Sequence, residues 1–370
     1  MNDKQPIYIL PENVSRTLGK DAQRNNILAA KVVADIVKTT LGPKGMDKML
    51  VDSSGNVVVT NDGVTILEEM EIEHPAAKMM VEIAKTQEKE VGDGTTSVAL
   101  LAGKLLDNAE TLLDRKIHPT VIVKGYGLAA EKSIEILNQI SVPLNNREVL
   151  KQIAMTAMTG KGAEGNKEKL AGLVVDAVDQ VSFKNEVDLG NIKIEKIEGD
   201  RIDDSELIKG IVLDKEKANA DMPSKIEGAM ILLVDFPLEL KNPESEAKIS
   251  VSTPEQLESF IASEERYLKD MTDAVIASGA NVVFCQKGID DVAQYYFAKA
   301  GILAFRRVPR SDMEKLARAT SGKIISSLRD VNPEQFGRAD VVEEVKKGDD
   351  SLTYVRGCIN PRAVTIVVKG

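Results

Sequence analysis

Between residues 21 and 41, Ile27, Leu28, Val32, Val33, Ile36 and Val37 recur at helical spacing after a polar start, which predicts an amphipathic helix. A charged helical run at 75–90, an apolar one at 98–113 and amphipathic stretches at 119–137 and 145–158 make the first part of the chain helical. One interruption is a predicted β-hairpin, 48–52 and 57–60 around Ser53-Ser54-Gly55-Asn56. A helix at 167–181 and a strand at 192–197 follow. From Ile211 short apolar strands (229–234, 281–285, 302–305, 323–326) alternate with helical runs (289–299, 312–319), the pattern of a layered α/β domain. Two last strands, 352–357 and 363–369, flank Asn360-Pro361.

An insertion at about 239–277 separates the first two of those strands. Its helix starts with Thr253 as N-cap, Pro254 at N1 and Gln256 at N3, a capping box with the favoured proline. Leu257, Phe260, Ile261, Leu268, Met271 and Val275 form one apolar stripe broken by Glu264 and Glu265, and for its second half, Leu268 to Val275, core packing is expected.

The loops between elements carry the chemistry. Val91-Gly92-Asp93-Gly94-Thr95-Thr96-Ser97 joins the charged helix to the apolar one, so it opens a helix whose first N–H groups are unpaired and whose dipole end is positive. Two glycines let a phosphate approach that backbone. Asp93 would repel a phosphate alone, but a Mg²⁺ ion takes one or two carboxylates and completes its octahedron with phosphate oxygens and water. Mg-nucleotide binding is one reading; the other makes Gly92 the C′ residue of one helix and Asp93 the N-cap of the next. In Leu41-Gly42-Pro43-Lys44-Gly45 the glycine ends a helix and the proline prevents its resumption, while Lys44 and the exposed backbone could also meet phosphate. Asn61-Asp62-Gly63 places a second carboxylate on a tight loop, either a turn aspartate or one free to act. In Thr159-Gly160-Lys161-Gly162 a lysine between two glycines can reach a γ-phosphate, or it is a solvated loop lysine.

Composition narrows the classes. The 370 residues, 43% hydrophobic and 29% charged, suffice for two or three globular domains. A net charge of -10 without any basic block argues against nucleic acid as a partner. No apolar run reaches membrane-spanning length and the first residues are not signal-like, so a soluble protein with no membrane partner is expected. Cys285 and Cys358 lie in apolar β-like runs without CxxC spacing and read as buried free thiols in a reducing, cytoplasmic compartment. His74 and His118 each precede a proline at a helix start, a structural placement.

Leu41-Gly42-Pro43-Lys44-Gly45-Met46-Asp47-Lys48-Met49-Leu50, Thr60-Asn61-Asp62-Gly63-Val64-Thr65-Ile66-Leu67 and Val91-Gly92-Asp93-Gly94-Thr95-Thr96, in this order and spacing, resemble the group II chaperonins, the family of archaeal thermosomes and the eukaryotic cytosolic ring chaperonin. The resemblance extends through the whole chain. It implies a multidomain α and α/β fold: 1–144 as the N-terminal half of a helical equatorial ATPase domain, 145–212 as an α/β intermediate domain, 213–362 as an α/β apical domain with a helical lid protrusion at about 239–277, and 363–370 as the start of the return to the intermediate domain. ATP and Mg²⁺ are the implied ligands. Leu41, Gly42, Pro43, Gly94, Thr95, Thr96, Ser97, Gly160 and Lys161 would bind the nucleotide, with Asp93 also holding the metal, Asp62 positioning the attacking water and Lys161 sensing the γ-phosphate. Leu257, Phe260 and Ile261 would form the apolar lid tip, meeting unfolded polypeptides or neighbouring lids. Implied partners are unfolded clients and like or related subunits in a stacked double ring.

The family's second equatorial segment has no counterpart before Gly370. The helices at 25–40 and 98–113 are therefore expected to show apolar surface at about 25 cal/mol per Å², and hydrolysis by this chain alone to be very slow or absent. One alternative is a non-hydrolysing holdase built on the apical domain. A small-molecule kinase, suggested by the Gly-Asp-Gly-Thr resemblance to NAD kinases, fits poorly, because the motif follows a charged helix end instead of an apolar strand. Neither a GxxxxGK[ST] loop nor a GxGxxG after a strand occurs.

Overall fold

The computed structural model describes residues 17–144, 146–184, 186–240, 254–347, 350–359 and 361–370. The chain divides into two compact units, one up to Lys167 and one from Glu168 onward.

The first unit is helical. α1 (Gly19–Lys38) is followed by a hairpin of β1 (Lys48–Val51) and β2 (Val57–Thr60), then α2 (Gly63–Glu68), α3 (Pro75–Val91), α4 (Thr95–Asp114), α5 (Pro119–Ile140) and α6 (Arg147–Met158). The hairpin pairs Lys48 with Thr60 and Val51 with Val57 in antiparallel register. Its turn is closed by the Asp52 carboxylate, which accepts from the Ser54 and Asn56 backbone N–H groups at 2.8 Å each. His74 and His118 cap α3 and α5 through Nδ1, accepting from the N–H of Ala76 and Thr120, with Pro75 and Pro119 at the first helical position.

α1 ends at Lys38, earlier than the periodicity to residue 41 predicts. The Thr40 hydroxyl donates back to the Val37 carbonyl at 2.8 Å and the backbone turns away. Gly42, at φ +85, belongs to the next turn, closed by Gly45 N–H to the Gly42 carbonyl at 2.9 Å. The core of this unit joins Val33, Ala34 and Val37 of α1 to Ile66 and Leu67 of α2, Met80 and Ala84 of α3, and Ala99 of α4. Outside that core, Leu28 and Val32 of α1 and Leu101 of α4 are exposed. α5 buries only Ile122 and exposes Val121, Val123, Leu128, Ile134 and Leu137.

In the second unit, α7 (Lys167–Val181) leads to β3 (Ile192–Ile197), β4 (Glu206–Ile208) and β5 (Ile211–Asp214). Next come β6 (Lys225–Val234), α8 (Pro254–Ala277), β7 (Val282–Cys285), α9 (Asp291–Lys299), β8 (Leu303–Phe305), α10 (Arg310–Thr320), β9 (Ile324–Ile325), β10 (Gly337–Lys347), β11 (Asp350–Arg356) and β12 (Val364–Lys369).

Seven strands form a mixed sheet in the order β5-β11-β10-β6-β7-β8, with β9 also on β6. β6, β7, β8 and β9 are mutually parallel, as the βα alternation predicts, and β5, β10 and β11 extend the sheet antiparallel. Phe284 and Phe305 stack at 4.8 Å between ring centroids in its core, and Leu268, Met271 and Val275 of α8 are buried there, as expected of the second half of that stripe. The proposed cap residue Thr253 lies outside the described residues, and so do the side chains of Gln256, Leu257, Phe260 and Ile261.

A separate three-stranded sheet has the order β3-β12-β4. β12 runs parallel to β3 and antiparallel to β4, so the end of the chain returns to the sheet begun before the seven-stranded one.

Cys285 and Cys358 are free and buried, as the sequence predicts. Burial pushes the Cys285 thiol up to about 11 and the Cys358 thiol up to about 12. A neutral thiol favoured in this way stabilises the fold below the ordinary thiol range, and that contribution is lost as pH rises toward these values. A disulfide-exchange reagent at pH 8 is expected to leave both thiols of the native protein unreacted and to titrate both in denaturant; rapid native labelling would contradict their burial.

Candidate functional site

Four loops of the first unit line one cavity of about 450 Å³. They are the turn after α1 (Thr40, Leu41, Gly42, Pro43), the β2–α2 junction (Asn61, Asp62), the α3–α4 junction (Asp93 to Ser97) and the end of α6 with its following turn (Thr156, Ala157, Thr159, Gly160, Lys161). The sequence-predicted residues Leu41, Gly42, Pro43, Asp62, Asp93, Gly94, Thr95, Thr96, Ser97, Gly160 and Lys161 thus share a single wall, whereas Leu257, Phe260 and Ile261 fall outside the described side chains. Lys44 does not line it.

The α3–α4 junction is sharp because two glycines adopt the left-handed conformation in succession. Gly92 caps α3 at φ +77, and Gly94 is the N-cap of α4 at φ +82. Asp93 is therefore not the N-cap, contrary to one reading of the sequence. Gly94 has no side chain to occupy the first N–H groups of α4, so those donors and the positive dipole end face the cavity. The Asp93 carboxylate, 56% exposed, is correspondingly uncommitted to capping. Its backbone carbonyl accepts from the Gln87 side-chain amide at 2.9 Å, which braces the junction.

Asp62 is no ordinary turn aspartate. Its Oδ2 caps α2, accepting from the Thr65 N–H at 3.2 Å and the Thr65 hydroxyl at 3.0 Å, while Oδ1 lies 3.6 Å from Lys161 Nζ. Lys161 Nζ also lies 3.8 Å from Asp93 Oδ1. A third acid contributes to the field: the Glu88 carboxyl is held above the usual carboxylate range by partial burial first, then by Asp62, with Lys161 opposing.

The turn bearing Lys161 is held from two sides. Asn61 donates its side-chain amide to the Gly160 carbonyl, and the Gly160 N–H donates to Glu164 Oε2 at 3.0 Å. That bond, then Lys167, holds the Glu164 carboxyl below its usual range. Gly160 sits at φ +77 with its backbone against Pro43, where an added Cβ would come within 3.2 Å of the Pro43 carbonyl oxygen.

A cavity with uncapped helix N–H donors, two carboxylates and an ammonium suits a polyanion together with a divalent cation. The carboxylates supply hard oxygen ligands, the N–H groups take phosphate oxygens, and the ammonium meets a terminal phosphate as a mobile point charge. Sequence reading missed Thr40, Asn61, Thr156, Ala157 and Thr159. Thr156 and Ala157 carry no motif signal, whereas Asn61 adjoins a recognised turn.

Comparison with known proteins agrees with this arrangement. A model of the TCP-1/cpn60 chaperonin family matches residues 33–370. The thermosome subunit beta of Archaeoglobus fulgidus is 57% identical over 372 residues, covering 99% of this chain and 68% of that protein. That of Methanothermobacter thermautotrophicus is 56% identical, with 99% and 68% covered, and the thermosome subunit of Methanopyrus kandleri is 56% identical, with 100% and 69% covered. Such identity along the whole chain, together with a cavity built from the three motifs, shows that the chain belongs to the TCP-1/cpn60 chaperonin family and, within it, to the group II chaperonins.

Proposed function

We propose that this chain works as a chaperonin subunit driven by the binding and hydrolysis of Mg-ATP at the four-loop cavity of the first unit. The observation that carries the reading is the convergence of Asp62, Asp93 and Lys161 on one pocket beside the uncapped N-terminus of α4. The backbone N–H groups at Thr95, Thr96 and Ser97 hold phosphate oxygens, with the threonine and serine hydroxyls alongside. Leu41, Gly42 and Pro43 form the wall nearest the nucleoside, and Gly160 admits the backbone of the Lys161 turn to that wall. Asp93 fits a Mg²⁺ ion because its carboxylate is not consumed by a cap; the ion, when bound, neutralises phosphate charge and polarises the γ-phosphoryl group. Asp62 orients the attacking water, while Lys161 contacts the γ-phosphate. Release of that contact on hydrolysis favours a second conformation, since only one state then retains the interaction.

The proposed domains are 1–144 equatorial, 145–212 intermediate, 213–362 apical and 363–370 returning to the intermediate part, so that the intermediate range spans the boundary between the two compact units. Pairing of β12 with β3 and β4 supports the return. Unfolded polypeptide would be held by the apical part, with Leu257, Phe260 and Ile261 at the lid tip, and copies or relatives of the chain would assemble in a stacked double ring. The cytoplasm is the compartment this reading implies; among the described residues no helix is long and apolar enough to cross a membrane.

Calorimetric titration tests the site. Asp93→Ala is expected to weaken Mg-ATP binding at least tenfold without weakening metal-free ATP binding; equal loss of both would remove the metal from Asp93. Light scattering of an aggregating client then tests the chaperone cycle, because protection that ignores ATP would favour a holdase.

A further inference from the structure

Among the described residues, Lys161 is the cation within 4 Å of both Asp62 and Asp93, and it is shared between them. The separations of 3.6 and 3.8 Å exceed hydrogen-bond length, so the ammonium is held by charge alone and can leave without breaking a hydrogen bond. Its backbone, by contrast, is fixed by Asn61 and Glu164 through Gly160. A tethered but exchangeable cation therefore lies between two carboxylates. One of these, Asp93, is the ligand assigned above to the nucleotide's metal, and the inference rests on that reading.

We infer that Lys161 is the internal counter-ion of the Asp62–Asp93 pair and that it exchanges with the divalent cation: the two compete for the same carboxylates. A cation at Asp93 Oδ1 would repel an ammonium at 3.8 Å from that oxygen, and the half-exposed setting of Lys161 gives the ammonium room to turn away. Glu88 adds a negative field that favours retaining one cation at the pair.

This exchange makes the site selective for metal-loaded nucleotide. Metal-free ATP leaves Lys161 engaged by Asp62 and Asp93, so its γ-phosphate meets no free ammonium. Metal-loaded ATP takes over Asp93 and frees Lys161 while the phosphate arrives within reach of the same turn. Lys161 in this view reports the metal as well as the phosphate.

The test is Mn²⁺ binding without nucleotide, followed by electron paramagnetic resonance on the whole chain. Lys161→Met removes the competing charge and is expected to tighten Mn²⁺ roughly tenfold, the scale of one unit charge near 4 Å in a water-like setting. Lys161→Arg retains the charge and should stay near the unsubstituted protein. The Lys161 side-chain ammonium ¹⁵N resonance of the unsubstituted protein is a second readout, expected to shift on addition of Mg²⁺ alone. Mn²⁺ binding no tighter in the Met variant, or an ammonium resonance indifferent to Mg²⁺, would overturn the competition. Titration with Mg-ATP separates the two proposals: no ATP binding by the unsubstituted protein, together with tighter Mn²⁺ in the Met variant, would keep the exchange and overturn the nucleotide reading.

Discussion

Asp62→Asn is expected to lower whatever ATP turnover the protein shows by roughly a hundredfold, the scale of losing the orientation of a reacting group, with little change in Mg-ATP affinity or melting temperature. The substitution separates the two tasks of this side chain. Oδ2 caps α2 through the Thr65 N–H and hydroxyl, and asparagine caps about as well as aspartate. Asparagine lacks the negative charge that orients the attacking water. Asp62→Ala confounds these effects, since loss of the cap alone costs about 1 kcal/mol. Phosphate release under saturating Mg-ATP is the measurement, and undiminished release by the Asn variant would exclude Asp62 from the reaction.

Gly63→Ala should damage both the fold and the site. A Cβ at this position would lie 2.4 Å from Thr96 Oγ1, 2.8 Å from Thr96 N and 2.9 Å from Thr96 Cα. Two of these atoms are backbone, so no rotamer change relieves the contact. Overpacking of this kind costs roughly 1–3 kcal/mol. Because Thr96 N is among the donors at the start of α4, the displacement also moves the phosphate-facing end of that helix away from Asp62. A lower melting temperature and at least a tenfold weaker Mg-ATP complex are expected; a variant that melts and binds normally would show that α2 and α4 do not meet at their N-termini.

Much of this site was legible because its loops are punctuated by glycine. Gly92 and Gly94 mark the α3–α4 junction directly, since both occupy the left-handed region that other residues avoid. The role of Asp93 was less legible. Sequence alone allows an aspartate before a helix to be its N-cap, and only the backbone places the cap one residue later at Gly94. For Asp62 the error ran the other way: a turn signal hid a cap, because Thr65 lies within the short helix that it starts. In the second unit, the parallel strands announced themselves as apolar runs. β10 did not, because Gly337–Lys347 interleaves Asp340, Glu343 and Glu344 with its inward residues Ala339 and Val342 and owes its strand state to pairing with β6 and β11.

The return of β12 to the small sheet has a kinetic meaning. Val212 N–H donates to the Thr365 hydroxyl at 3.1 Å across 153 residues of chain, and β12 is the middle strand that joins β3 to β4. Until it has been synthesised, β3 and β4 have no common partner, however well the seven-stranded sheet encoded between β4 and β12 has formed. Loop-closure entropy over that span makes this the most non-local step in the second unit. On a translating ribosome the seven-stranded sheet can condense while the three-stranded one waits, so the smaller sheet of the second unit is expected to be the last to lock and the point at which an interrupted synthesis leaves apolar strand edges open.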